Sequence, residues 1–426
     1  MKDKKLTSTN DIQNAKEIFE GSHSLQLDRA KESQQENVSA TNNIKELWNK
    51  LNTKEDLLNL INTISVEMVK ETKLEPRFYT LQQLNYNAYS TNNIQRYISF
   101  NIPKKKQGEF RTIDAPNPTL KGIQQCLNYV FQELYQPHTA AFGFVPKRSI
   151  VDGAKVHLSQ KYVYNIDLKD FFPSITAGRL YKRLQVKPFC LTAEIASIIT
   201  DLCCYKNADG KFVLPQGAPT SPTITNFICE RMDYKLTKLA KSYHLRYSRY
   251  ADDITFSGAK DIFGKHSCFC KSLKHIIEEE EHFIINIEKT HLCHQGMRQE
   301  VTGLTINEKA NVSRKYVKQL RTMIHNWEKD GYEKAQEEFI IHYHPTKNIS
   351  GEHHIENIIS GKLDFLKMVK GENDGTYRKL NKRFEKLLGL NEYQEKSLEE
   401  GKKESSYYLG DTEIMKVFEE LNELLK

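Results

Sequence analysis

An α+β fold is what the 426-residue sequence predicts, and three observations carry that expectation. Short β-rich runs and helical stretches follow one another without the strand–helix–strand rhythm of a doubly wound sheet. The stretch YSRYADDITFSG, Tyr247–Gly258, sets two mostly β-branched or aromatic runs on either side of Ala251-Asp252-Asp253, the pattern of an antiparallel hairpin. From about Ser313 onward the pattern is mostly helical.

Taken in order, residues 1–43 are polar and poor in aromatics, the composition of an N-terminal arm. Residues 44–94 form a helical region, with Asn52 or Thr53 as an N-cap inside it. Residues 95–312 hold the mixed part. Within them RYISFNIPKKKQGEFRTIDAP reads as a hairpin around a turn containing Lys and Gly. TLKGIQQCLNYVFQELY is an amphipathic helix with Leu120, Ile123, Leu127, Val130 and Leu134 on one face. KYVYNIDL is a strand, residues 177–206 are helical, and NADGKFVLPQGAPTSP is a loop leading into the helix TITNFICERMDYKLTKLAKSY. After the hairpin come a helix at FCKSLKHIIEEEEHF and a strand at IINIEKTHLCH. Residues 313–390 read as a helical, basic domain and 391–426 as a helical extension, with Ile414, Val417, Phe418, Leu421 and Leu424 on one stripe.

The net charge of +7 and a pI near 8.7 are compatible with a polyanionic partner. Mean hydropathy is −0.63, and no apolar run is long enough for a membrane span. The N-terminal residues lack an apolar signal core, so a cytoplasmic location is expected. The eight cysteines include no Cys-x-x-Cys pair and are expected to be buried, reduced thiols. The histidines of HYHP (342–345) and EHH (352–354) lack a matching ligand set and read as surface residues.

Two adjacent aspartates in a turn have an ordinary explanation, since Asp suits turn geometry. Asp167 changes the weighing. It closes a β-rich run, and at a strand end it can join Asp252 and Asp253 if the strands are neighbours. Three converging carboxylates repel unless cations neutralise them. Mg²⁺ prefers carboxylate and phosphate oxygens, and a pair of such ions suits an in-line phosphoryl displacement. A third segment, LPQGAPTSP, has Gly217 for close backbone approach to a ligand, and Thr220 and Ser221 to cap the next helix.

Together NIDLKDFFPSI, LPQGAPTSP, YADD and INIEKT, in this order and spacing across residues 95–310, resemble the palm of a reverse transcriptase. IPKKKQGEFRTIDAP and FGFVPKRSIVDGAKVH resemble its fingers. The chain is most similar to the bacterial retron type, whose Val-Thr-Gly motif is supplied by Val301, Thr302 and Gly303. That type also carries Asn-Ala-x-x-His; here GAKVH keeps Ala154 and His157 but has Gly153 in place of Asn. The departure leaves room for a related defence-associated reverse transcriptase.

The resemblance implies a right-hand polymerase, with fingers and palm, an antiparallel palm sheet and a helical thumb. It implies two Mg²⁺ ions held chiefly by Asp167 and Asp252, with Asp253 supporting the site and the Leu168 carbonyl completing one shell. Lys289 matches a lysine that protonates the departing pyrophosphate. Arg111 matches the arginine on the triphosphate, joined by one of Lys104, Lys105 or Lys106, with Lys104 preferred. Phe172, five residues after Asp167, is placed to collide with a ribose 2′-hydroxyl; Phe171 and Phe172 could instead both be core. Gln216 would pack on the incoming dNTP, with Asp170 in the same pocket. Each basic residue also has a plain reading as a solvated surface charge.

The basic thumb, from Lys362 to Lys386, would grip a duplex by its phosphates, with Lys382 and Arg383 adding affinity. Val301, Thr302 and Gly303 would choose the RNA. The implied activity is RNA-directed DNA synthesis on an associated structured noncoding RNA that serves as template and primer, giving an RNA–DNA hybrid, in phage defence. An effector protein and a homo-oligomer are implied partners; a membrane is not. The alternatives are a group II intron-like or other defence reverse transcriptase with a different template, an RNA polymerase, and a catalytically inactive RNA-binding scaffold. Phe172 argues against the RNA polymerase, and intact Asp167, Asp252 and Asp253 argue against the scaffold.

Overall fold

The computed structural model describes residues 43–70, 72, 74–89, 96–103, 108, 110–343 and 354–389. The expectations for the arm before residue 43, for Lys104, Lys105 and Lys106, for the side chains of HYHP and for the extension beyond 390 lie outside the described residues, as does His353. The strands, in chain order, are β1 (Tyr97–Pro103), β2 (Phe110–Pro116), β3 (Tyr162–Lys169), β4 (Tyr205–Lys206) and β5 (Phe212–Val213), then β6 (Arg246–Tyr250), β7 (Asp253–Gly258), β8 (Ile284–His294), β9 (Glu300–Val301) and β10 (Leu304–Thr305). All the β pairings within the sheets that carry the site are antiparallel, as an α+β chain requires.

Two compact units interleave along the chain. The first draws on Met1–Ser99, Ile113–Gln136 and Ile175–Ile224; the second on Phe100–Thr112, Pro137–Ser174 and Thr225–Lys426. Of the two paired strands β1 and β2, Tyr97–Ser99 and Ile113–Pro116 fall in the first unit and Phe100–Pro103 and Phe110–Thr112 in the second.

In the first unit, Thr53 caps the helix Lys54–Glu67 in a reciprocal box: its hydroxyl accepts from the Asp56 N–H, and Asp56 accepts from the Thr53 N–H at 2.9 Å. The helix Pro118–Leu134 buries Leu120, Ile123, Leu127 and Val130, whereas Leu134, at its last turn, is half-buried. Trp48 sits edge-on to Phe131 and Phe189, and its indole N–H donates to the Phe189 carbonyl at 2.8 Å. Residues 205–206 depart from the helix expected there: helix Ala193–Cys203 ends first, and they pair as β4 with β5.

The second unit is built on a four-stranded sheet of order β6-β7-β3-β8. The hairpin predicted from YSRYADDITFSG is β6–β7, pairing Tyr250 with Asp253. The segment read as one helix after it is two: an α-helix Cys268–Lys274 continues as a π-helix His275–Glu280. The wide turn delivers Glu281, which is buried, to Arg231 at 2.7 Å and Lys235 at 3.0 Å on helix Ser221–Ser242. None of the eight cysteines is in a disulfide, but Cys190 and Cys268 are exposed and Cys270 half-buried rather than buried.

Behind the sheet, helices Arg314–Asp330, Tyr332–Tyr343, Ile355–Lys370 and Gly375–Leu387 share one core, in which Tyr316, Leu320, Ile324, Ile359, Leu363, Leu366 and Leu380 meet Val301, Leu304 and Ile306. Apolar burial of this kind is what holds short helices in place. Among the described residues no helix is long and apolar enough to cross a membrane.

His157, the retained member of the Asn-Ala-x-x-His pattern, lies in this unit and bridges two strands. Its Nδ1 is 2.7 Å from the Ser257 hydroxyl on β7, and its Nε2 is 2.7 Å from Ser248 on β6. Burial pushes the imidazole down to about 3 from the usual 6.5, so it is neutral in the folded protein. The unfolded chain therefore binds a proton first as pH falls. The stability that the neutral ring contributes is complete above pH 6.5 and is lost progressively toward pH 3. His157→Leu is expected to flatten that acid limb and to cost about 2–4 kcal/mol at neutral pH, by stranding two buried hydroxyls. Urea unfolding across pH checks it; an unchanged acid limb contradicts it. The departure at Gly153 also has a local cause, since a Cβ there would lie 3.2 Å from Phe142 Cγ.

Candidate active site

Asp167 stands in β3, the central strand between β7 and β8, and is only 9% exposed. Its register partners are Asp253 on β7 and Asn286 on β8. Asp252 lies in the turn, where its carbonyl accepts from the Leu168 N–H at 3.1 Å. Asp167, Leu168, Asp252 and Asp253 thus share one end of the β3–β7 pair. The side chains of Asp252 and Asp253 are half-buried.

Asp167 is gripped from β8. Lys289 Nζ is 3.0 Å from Oδ1, and Asn286 Nδ2 donates to Oδ2 at 2.9 Å. A bulge makes both contacts possible: while β3 advances from Asn165 to Asp167, β8 retreats from His291 to Asn286. The Thr290 hydroxyl closes the bulge on the Asn286 carbonyl at 2.8 Å. Asn286 escaped the sequence reading. The only signal was its place in INIEKT, and nothing in a strand-like run marks where pairing will slip.

The expected convergence of three carboxylates is therefore modified. With Asp167 turned to Asn286 and Lys289, no group of three or more His, Cys, Asp or Glu side chains is gathered to hold a metal among the described residues. The chemistry of the donor set still fits a hard divalent cation: carboxylate and carbonyl oxygens at one sheet end. Asp167 already draws positive charge, in the form of the Lys289 ammonium.

The two phenylalanines after Asp167 divide. Phe171 is 3% exposed and packs on Phe283, their ring centroids 5.5 Å apart. Phe172 is half-buried and leans on Phe144 at 6.3 Å. Asp170 is exposed, with a left-handed φ of 47°. Arg111 lies on the β2 part of the hairpin in the second unit, half-buried. Gln216 belongs to the first unit, where its carbonyl accepts from the Asp114 N–H at 2.8 Å. Gly217, at φ 131°, is closely approached by that same β2 segment: an added Cβ would lie 2.9 Å from Ile113 Cγ2. Ser221 does not cap its helix; its hydroxyl donates to the Pro215 carbonyl at 2.7 Å.

Further corrections concern the residues assigned to RNA. Val301 is buried in the helical core, so its side chain faces protein. Thr302 and Gly303 form the two-residue turn between β9 and β10, both with positive φ, 47° and 81°. For a β-branched residue such as Thr302 that conformation is strained. In the thumb region Lys382 is exposed, but Arg383 forks onto Glu328 with Nε at 2.8 Å and Nη2 at 2.6 Å. Lys362 is 4% exposed, its ammonium 4.6 Å over the Tyr316 ring, and burial lowers its pKa to about 8.

Residues 102–334 match the family described as reverse transcriptase (RNA-dependent DNA polymerase). The chain is 37% identical over 258 residues to the Retron Mx162 reverse transcriptase of Myxococcus xanthus, covering 55% of this chain and 53% of that one. It is 35% identical to the Retron Mx65 reverse transcriptase of the same organism, covering 54% and 56%. To the Retron Ec86 reverse transcriptase of Escherichia coli it is 34% identical, covering 61% and 77%. The match thus spans just over half the length of the two Myxococcus proteins.

Proposed function

The chain belongs to the reverse transcriptase family, and within it to the retron type, and on that premise we propose that it is an RNA-directed DNA polymerase that copies an associated structured noncoding RNA into DNA, in a bacterial anti-phage defence system. The observation that carries the catalytic half of this reading is the pairing of Asp167 with Asp253 on adjacent strands, with the Asp252 turn tied to Leu168. Asp167, Asp252, Asp253 and the Leu168 carbonyl would hold two Mg²⁺ ions. When bound, such ions neutralise phosphate charge and favour a deprotonated attacking hydroxyl.

The chain's own residues supply the rest. Asn286 holds one oxygen of Asp167 and so fixes the direction of the other. Lys289, whose Nζ is 3.0 Å from Asp167, would supply the proton to a departing pyrophosphate. Phe172 excludes a 2′-hydroxyl, and Arg111 and Asp170, which belong to the same unit, serve the incoming dNTP. The strained Thr302-Gly303 turn sits on the core of the basic helices, and strain of this kind marks recognition sites.

The exposed and paired thumb cations should behave differently. Lys382→Ala is expected to weaken binding to any RNA and to lower the log–log salt slope by about one. Arg383→Ala is expected to leave that slope alone, because its guanidinium serves Glu328; the half-exposed pair is worth under about 1 kcal/mol of stability. Equal slope changes in both variants contradict this division. The whole reading is tested by purifying the protein from its native host and sequencing the nucleic acid that comes with it. One structured RNA joined or annealed to its DNA copy is expected; the absence of any DNA copy overturns the proposal.

A further inference from the structure

We propose that Arg249 is the positioning residue of the Asp252 turn: its buried guanidinium pins the Ala251 carbonyl and so presets where Asp252 meets a divalent cation. This rests on the reading of Asp252 as a metal ligand.

Arg249 stands on β6 just before the turn and is 0% exposed. Its Nε and Nη2 fork onto Asp233, both at 2.7 Å, and Nη2 also reaches Asn226 Oδ1 at 3.1 Å. The remaining nitrogen, Nη1, donates to the Ala251 carbonyl at 3.2 Å. Ala251 needs holding, because its φ of 53° is left-handed and disfavoured for a residue with a Cβ. The turn is also backed by Gly143, where a Cβ would come 2.6 Å from the Ala251 nitrogen. Asn226 fixes that glycine by donating to its carbonyl at 2.9 Å. The Arg249 main chain is tied to the same segment, bonding the Ala140 carbonyl and the Phe142 N–H at 2.8 Å each. The conformation of the turn is thus imposed through the Ala251 carbonyl and the backbone of Gly143.

Stability alone does not account for this arrangement. A guanidinium–carboxylate pair with no solvent exposure is often no more stable than well-packed apolar side chains in its place. What apolar side chains cannot supply is a planar fork that bonds Asp233, Asn226 and the turn at once.

The experiment follows binding of Mn²⁺ alone to the full chain, by electron paramagnetic resonance, with thermal unfolding of each variant in parallel. Wild type should bind, and Asp252→Ala should bind about tenfold or more weakly. The double variant Arg249→Met with Asp233→Leu, which also takes the acceptor from the buried Tyr247 hydroxyl, should unfold at a lower temperature than wild type but remain folded at the assay temperature, and bind Mn²⁺ at least about tenfold more weakly. Arg249→Lys keeps a charge opposite Asp233 but loses the fork; it should show the same weakening, and it decides the matter if the double variant does not fold. Folded Arg249 variants that bind Mn²⁺ like wild type overturn this proposal while leaving the Asp252 reading intact. Asp252→Ala binding like wild type overturns both.

Discussion

Asp252→Ala is expected to abolish nucleotide incorporation, by on the order of a thousandfold or more, while leaving the fold and RNA binding in place. The fold is expected to survive because the Asp252 carbonyl that accepts from the Leu168 N–H is retained in alanine. Its half-buried side chain contributes charge at the sheet end and no apolar core packing. Primer extension, thermal unfolding and RNA gel shift on the same preparation check all three statements. Robust Mg²⁺-dependent synthesis by the variant would remove Asp252 from the metal site.

Phe172→Val is expected to admit ribonucleotides, reducing the preference for a dNTP over the matching NTP by about ten- to a hundredfold. The structure narrows this prediction to one ring. Phe171 is committed to the core against Phe283, whereas Phe172 is half-buried beside Phe144 and Phe171. Truncation at Phe172 therefore costs less core packing than truncation at Phe171. The ratio of kcat/KM for each nucleotide pair is the measurement, and a ratio equal to wild type would place the sugar gate elsewhere.

Much of this site is legible in the chain because its signals are local. The alternation of β3 and of the YADD hairpin is a period-two pattern, and Thr53 with Asp56 is a cap read from four residues. The unread parts are those set by pairing across distance. Asn286 meets Asp167 only because β8 slips register against β3. Arg383 reaches Glu328 on another helix, so a basic residue counted toward RNA binding serves the thumb instead. Lys362 reads as solvated in a Lys-rich helix, yet it lies over Tyr316 in the interior. The π-helix His275–Glu280 has an ordinary amphipathic sequence, and its widened turn follows from Glu281 reaching Arg231 and Lys235. Nothing local to Arg249 marks its role either, because its partner Asp233 comes from the preceding helix.

The central claim is that this chain makes DNA on an RNA template. The direct measurement is extension of a DNA primer annealed to a defined RNA template by the purified full chain with Mg²⁺, offered dNTPs or NTPs separately, with the product sequenced. The account predicts a DNA product complementary to the RNA, formed with dNTPs, lost on chelation of the metal, and formed poorly with NTPs. Extension with NTPs in preference to dNTPs, or a DNA product whose sequence does not follow the template, would contradict it.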